Sequence, residues 1–62
     1  MNQEQDERVR KLRHDLSNPL AAVLAEAQLL LLRADSLDPE TVQSLREIES
    51  LARRMREILQ SN

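Results

Sequence analysis

The chain has 62 residues and a formal net charge of −2 from eleven acidic and nine basic side chains, and it lacks cysteine, glycine and aromatic residues. The mixed charges exclude the basic footprint of a nucleic-acid binder, and the absence of cysteine excludes disulfides and thiolate metal sites. The apolar run at residues 20–32 is interrupted by Glu26 and is shorter than the roughly 20 residues of a bilayer span, and no secretory signal is visible. We therefore expect a soluble, cytoplasmic protein without direct membrane insertion.

The composition favours helices almost everywhere, because Ala, Leu, Glu, Arg and Gln dominate and only two prolines interrupt the chain. The fold class that this predicts is all-α. Two or three helices of this total length bury too little apolar surface to offset the loss of backbone entropy. We therefore expect the chain to associate with itself.

A first helix is predicted over about residues 4–33. Its apolar residues recur at helical spacing and form one stripe, which we expect to face the rest of the hairpin. The stripe consists of Val9, Leu12, Leu16, Leu20, Val23, Ala27 and Leu30. Pro19 lies within it, and a proline inside a helix costs about 3 kcal/mol, so Asn18 and Pro19 are alternatively the cap and first residue of a separate helix. Because the stripe keeps its phase through Pro19, we favour one long, locally bent helix.

A tight turn is predicted at about residues 34–38, and a second helix at about 39–60. Asp38 suits the N-cap position, Pro39 the first helical position, and Leu37 is spaced to contact Val42 across the helix start. The second helix also carries an apolar stripe, formed by Val42, Leu45, Ile48, Ala52, Met55 and Leu59. These features predict an antiparallel helical hairpin that homodimerises into a four-helix bundle.

His14 is the only histidine, and on an ideal helix it points away from Leu16 and the apolar stripe. The commonest interpretation of such a residue is a solvated side chain. Its neighbours favour a functional role instead, because Asp15 places a carboxylate beside the imidazole and Asn18 follows one turn along the same face. Pro19 offers no N–H to the carbonyl of Asp15, which loosens the backbone there. An exposed, neutral imidazole in this setting is a candidate nucleophile, although Asp15 alone suggests a solvated charge and Asn18 alone a helix cap.

The segment HDLSNPLAAVLAEAQLLL resembles the phospho-acceptor motif of HisKA-type sensor histidine kinases. In that motif, histidine is followed by an acidic residue, by threonine or asparagine four positions on, and then by proline and leucine. The matching residues are His14, Asp15, Leu16, Asn18, Pro19 and Leu20. The resemblance identifies the chain as similar to the dimerisation and histidine-phosphotransfer domain of two-component systems, itself a helical hairpin.

The resemblance implies a role for each motif residue. His14 accepts a phosphoryl group and exchanges it with an aspartate of a response regulator receiver domain, and Asp15 is the general base or an orienting carboxylate. Asn18 positions the water that removes phosphate from the regulator. Docking of the regulator is implied at Ala21, Ala25 and Glu26.

Three further candidates for partner binding come from their positions. Leu29 lies outward near the turn, where it either meets a second protomer or belongs to an apolar docking patch. Arg53 and Arg54 are expected to return to roughly the level of His14 and to attract an acidic regulator pocket, although such a cluster is usually a solvated helix face.

A chain without glycine cannot contain the glycine-rich motifs of the kinase ATP-binding domain, so no autonomous kinase activity is expected. The chain is then a piece of a larger kinase or a stand-alone phosphotransfer protein, served by an ATP-binding domain in cis or in trans. ATP and Mg²⁺ are needed on partner domains, and we expect no cofactor or metal on this chain. The main alternative is a structural dimerisation hairpin without phosphotransfer activity. A membrane-surface helix is disfavoured because Trp and Phe anchors are absent.

Overall fold

The computed structural model describes residues 3–61 as two antiparallel α-helices joined by a short turn. Helix α1 spans Gln3–Leu31, and helix α2 spans Pro39–Gln60. A single 3₁₀ turn, Ala34–Ser36, lies between them. The molecule is a rod with extents of 52 × 15 × 11 Å. The predicted all-α helical hairpin is confirmed.

Helix α1 is continuous through Pro19, so the described part of the chain holds two α-helices and not three. The helix ends at Leu31, two residues before the end expected from the sequence. Its last turn tightens as the chain leaves it, since the N–H of Arg33 donates to the carbonyl of Leu30 at 3.0 Å, three residues back. The backbone then passes directly into the 3₁₀ turn.

The turn is fixed by hydrogen bonds close in sequence. The hydroxyl and the N–H of Ser36 both donate to the carbonyl of Arg33, each at 2.9 Å. Asp38 is the N-cap of α2, because its side chain accepts from the N–H of Thr41 at 3.2 Å, and Pro39 is the first helical residue. The start of α2 therefore has the cap that the sequence predicts.

The core of the hairpin is small. Its buried residues are Leu20, Leu24 and Ala27 of α1 and Leu45 and Ala52 of α2. The expectation that the whole α1 stripe faces the hairpin is wrong, because only Leu20 and Ala27 of that stripe are buried. Helix α2 packs along one edge of the stripe, where Leu24, a residue outside the stripe, is buried together with Leu20 and Ala27. The other residues of the stripe are exposed to solvent.

The exposed remainder forms what we call the apolar face. Its α1 residues are Val9, Leu12, Leu16, Val23 and Leu30, and its α2 residues are Ile48, Leu51, Met55 and Ile58. The accessible surface of the chain is 5358 Å². A globular monomer of 7.2 kDa exposes about 4,100 Å², so this hairpin exposes about 1,200 Å² more. The single hairpin thus leaves these nine apolar side chains exposed to solvent.

The register of the two helices is given by a hydrogen bond across the hairpin, from Nε2 of Gln28 to Oε2 of Glu49 at 3.4 Å. Helix α2 continues for eleven residues beyond Glu49 and ends at Gln60. Because the helices are antiparallel, α2 covers α1 only as far as about residue 17. We call residues 3–16 the overhang; it extends about 21 Å past the end of α2, at 1.5 Å per residue.

Candidate functional site

His14 lies in the overhang, so no part of α2 covers it. Its side chain is 74% exposed, and its Nδ1 lies 3.7 Å from Oδ1 of Asp15, which is 57% exposed. This distance is longer than a hydrogen bond, so the contact is electrostatic. The carboxylate stands beside one ring nitrogen of an imidazole that is largely exposed.

Asn18 and Pro19 follow His14 within the same continuous helix, and both are exposed. Because α1 runs unbroken through them, Asn18 is an interior helical residue, and its interpretation as a helix cap is wrong. Four residues of spacing place the Asn18 amide on the His14 face, one turn towards the hairpin turn. Pro19 has no N–H to donate, so the carbonyl of Asp15 lacks its usual intrahelical partner.

Upstream of His14, the structure brings in side chains that the sequence motif does not include. Glu7, Arg10 and Lys11 line a shallow depression of about 370 Å³ together with His14. The motif begins at His14 and runs downstream, so it does not point to the residues before it. Residues three and four positions before His14 share its face, and that spacing was the available signal.

The predicted partner-binding residues of α1 lie between His14 and the turn. Ala21, Ala25, Glu26 and Leu29 are all exposed. Ala21 and Ala25 continue the His14 face about 10 and 16 Å further along the helix. The structure therefore places a strip of small residues next to His14 and keeps it clear of α2.

The expected placement of Arg53 and Arg54 at the level of His14 is wrong. With Glu49 opposite Gln28, Arg53 is level with about residue 24, and His14 lies about 15 Å further along the axis. Helix α2 ends before it reaches that level. Arg53 is also engaged within the hairpin, because its Nη2 lies 3.2 Å from the same Glu49 Oε2 that accepts from Gln28.

An apolar groove of about 440 Å³ lies between the two helices, at the end of the hairpin away from the turn. Its lining residues are Leu16, Pro19, Leu20, Val23, Met55, Ile58 and Leu59. Four of them, Leu16, Val23, Met55 and Ile58, belong to the apolar face. The groove therefore joins the α1 and α2 parts of that face into one surface.

The described residues, 3–61, include no group of three or more His, Cys, Asp or Glu side chains placed to hold a metal ion. Within the same residues, neither helix is both long and apolar enough to cross a membrane.

The model of the family described as the His Kinase A (phospho-acceptor) domain matches residues 4–61, which include both helices, the turn and His14. No curated protein and no solved structure matches the chain.

Proposed function

The chain belongs to the His Kinase A (phospho-acceptor) domain family, and from that premise we propose that His14 accepts a phosphoryl group and exchanges it with an aspartate of a response regulator. The family gives the chain a phospho-acceptor and dimerisation role in two-component signalling. One observation carries the assignment to His14. Its imidazole is largely exposed, with a carboxylate oxygen 3.7 Å from Nδ1.

The proposed chemistry uses both ring nitrogens. Nε2 of a neutral imidazole attacks phosphorus, an N–P bond forms, and the P–O bond to the donor breaks. The ring then carries a proton on Nδ1, and the nearby Asp15 carboxylate stabilises that positive charge. In the exchange step, an aspartate oxygen of the regulator attacks phosphorus and the imidazole leaves. ATP and Mg²⁺ are supplied by partner domains, namely the kinase ATP-binding domain, in cis or in trans, and the receiver domain.

Asn18 has a separate proposed role, in removing phosphate from the regulator. An amide cannot act as a base at neutral pH, but it both donates and accepts hydrogen bonds and can hold a water molecule. Its place one turn from His14 directs it to the same bound aspartyl phosphate. Pro19 contributes by leaving the Asp15 carbonyl unpaired, which allows α1 to bend next to the site.

Homodimerisation is the second part of the proposal, and the apolar face supports it. The hairpin exposes about 1,200 Å² more total surface than a globular monomer of its mass, which exceeds the roughly 800 Å² that each partner buries in a standard interface. Two hairpins joined through this face form a four-helix bundle with one His14 exposed on each protomer. A dimerisation hairpin without phosphotransfer activity is the alternative that this observation favours.

We place the docking surface of the receiver domain on the strip that follows His14. Ala21 and Ala25 allow close approach of a partner helix, and Glu26 and Leu29 flank them. On α2, Arg54 is the better candidate for attracting an acidic pocket, since Arg53 already contacts Glu49.

The test is to incubate the chain with phosphorylated receiver domains and follow acid-labile phosphate on both partners. Label is expected to move onto the wild-type chain and not onto His14→Gln. Regulator dephosphorylation is expected to be lost with Asn18→Ala while label transfer persists. If every regulator keeps its phosphate at the rate seen without the chain, phosphotransfer is wrong and the dimerisation hairpin is the function.

A further inference from the structure

The depression beside His14 contains two cations that the phosphoryl exchange described above does not use. Arg10 and Lys11 precede His14 by four and three residues, so the helix places all three side chains on one face. Together with Glu7 they line the same depression. Both basic residues are exposed. Within residues 3–61, neither side chain makes a hydrogen bond or an ion pair.

The charges around the imidazole are arranged asymmetrically. Asp15 stands at Nδ1, whereas Arg10 and Lys11 lie on the upstream side of the ring. Glu7 is the one acidic residue lining the depression, and it lies a further turn away from His14. Two cations against one carboxylate give the depression a net positive charge.

We infer that Arg10 and Lys11 bind the phosphoryl group carried by His14 and hold it in its dianionic form. A phosphoryl group adds close to two negative charges and three acceptor oxygens at neutral pH. The guanidinium and the ammonium supply charge-assisted hydrogen bonds to such oxygens. The inference rests on the proposed phosphorylation of His14. Its consequence is that the two cations shift the exchange with the regulator towards the phosphorylated chain.

The inference is tested without a kinase or a regulator, so that its failure is separable from failure of phosphotransfer. Phosphoramidate phosphorylates accessible histidines directly: the imidazole nitrogen bonds to phosphorus, the P–N bond of the reagent breaks, and ammonia leaves with the proton. His14 is the only histidine, so one residue carries the phosphoryl group, and the Nε2 product is distinguished from the Nδ1 product by its own phosphorus resonance. Its phosphorus NMR shift is then followed against pH to give the pKa of the phosphoryl group.

The comparison is between the wild type and a variant carrying Arg10→Ala and Lys11→Ala together. Loss of both exposed cations is expected to raise the phosphoryl pKa by about half a unit, roughly a threefold change in the acid dissociation constant. Raising the salt from low to about 1 M is expected to remove most of that difference, because the Debye length falls to about 3 Å.

Arg8→Ala is the matched control, since Arg8 is an exposed arginine about 120° around the helix from His14. It is expected to leave the phosphoryl pKa unchanged, and Arg10→Lys with Lys11→Arg is expected to keep the wild-type value. Equal pKa values in the wild type and the double alanine variant would overturn the inference. An equal rise with Arg8→Ala would also overturn it, because the effect would then reflect net charge alone.

A second measurement tests whether Arg10 and Lys11 affect phosphoryl exchange with a receiver domain. In an exchange with a phosphorylated receiver domain, the double alanine variant is expected to hold about threefold less phosphate at equilibrium than the wild type. If neither chain takes up any phosphate, the proposed function fails, while the NMR titration still decides whether Arg10 and Lys11 bind the phosphoryl group.

Discussion

The hairpin half of the molecule and the overhang differ in the interactions that stabilise them. From about residue 17 to the end of α2, the two helices share a buried core, a capped helix start and the contact from Gln28 to Glu49. Residues 3–16 form helix as well, but Arg13 is their one side chain that is even half-buried. The reactive group lies in the part of α1 that contributes no residue to the buried core. The residues of α1 that stabilise the hairpin and the residue proposed to react thus lie in different segments of the same helix.

The largest expected effect tests the packed half. Leu24 is 6% exposed in the core, so Leu24→Ala should lower the free energy of unfolding by about 2–5 kcal/mol. Leu29, an exposed leucine on the same helix, is the control, and Leu29→Ala should cost far less. Chemical denaturation followed by circular dichroism measures both. Equal losses for the two variants would mean that the core does not lie where the structure places it.

The next largest effect tests whether a second protomer covers the apolar face. Val23→Asp puts a carboxylate into the proposed dimer interface of each protomer and should weaken dimerisation by at least about a hundredfold, or about 2.7 kcal/mol. Ala22→Asp places the same charge on the adjacent, exposed residue outside that face and should leave the dimer intact. Analytical ultracentrifugation over a concentration series separates the two. A Val23→Asp dimer as tight as the wild type would refute this interface.

A smaller effect concerns the start of α2. Asp38→Ala removes the acceptor for the N–H of Thr41 and should lower stability by about 1 kcal/mol. Asp35→Ala removes a nearby exposed carboxylate with no capping role at α2 and is the matched control. The difference in Tm between these variants reports the cap alone. Identical Tm values would show that the cap adds nothing to the packed half.

The smallest effect concerns the contact that gives the register. Glu49→Gln should weaken the bonds from Gln28 and Arg53 and lower stability by less than about 1 kcal/mol, since the Arg53 partner is half exposed. Glu47→Gln changes an exposed glutamate two residues away and is the control. The loss should shrink in high salt. A loss of several kcal/mol would mean that this contact, and not the core, holds the helices together.

Local features were predictable from sequence because their causes lie within a few residues. The cap at Asp38 and the first helical position of Pro39 depend on side chains and backbone groups that are adjacent in the chain. The continuity of α1 through Pro19 was predictable from the phase of the apolar residues on either side. The motif from His14 to Leu20 likewise identifies the candidate site by residue type and spacing alone.

Features that depend on how one helix lies along the other were not predictable. Periodicity predicts one broad apolar stripe on α1. It does not predict that α2 packs against only one edge of that stripe and buries Leu24 beside it. Nor does periodicity fix the axial register, so the position expected for Arg53 and Arg54 lies too close to His14. The sequence motif does not indicate Arg10 and Lys11 for a different reason, because the motif begins at His14.

The turn has a practical consequence for labelling. No residue in the described part of the chain has a positive φ, so the turn is made entirely from conformations open to every L-amino acid. The chain has no cysteine. A single cysteine in place of exposed Asp35 therefore gives a unique attachment point for a dye or spin label. That label sits beyond the end of α1, more than about 25 Å along the axis from His14, where it reports on the molecule without touching the reactive end.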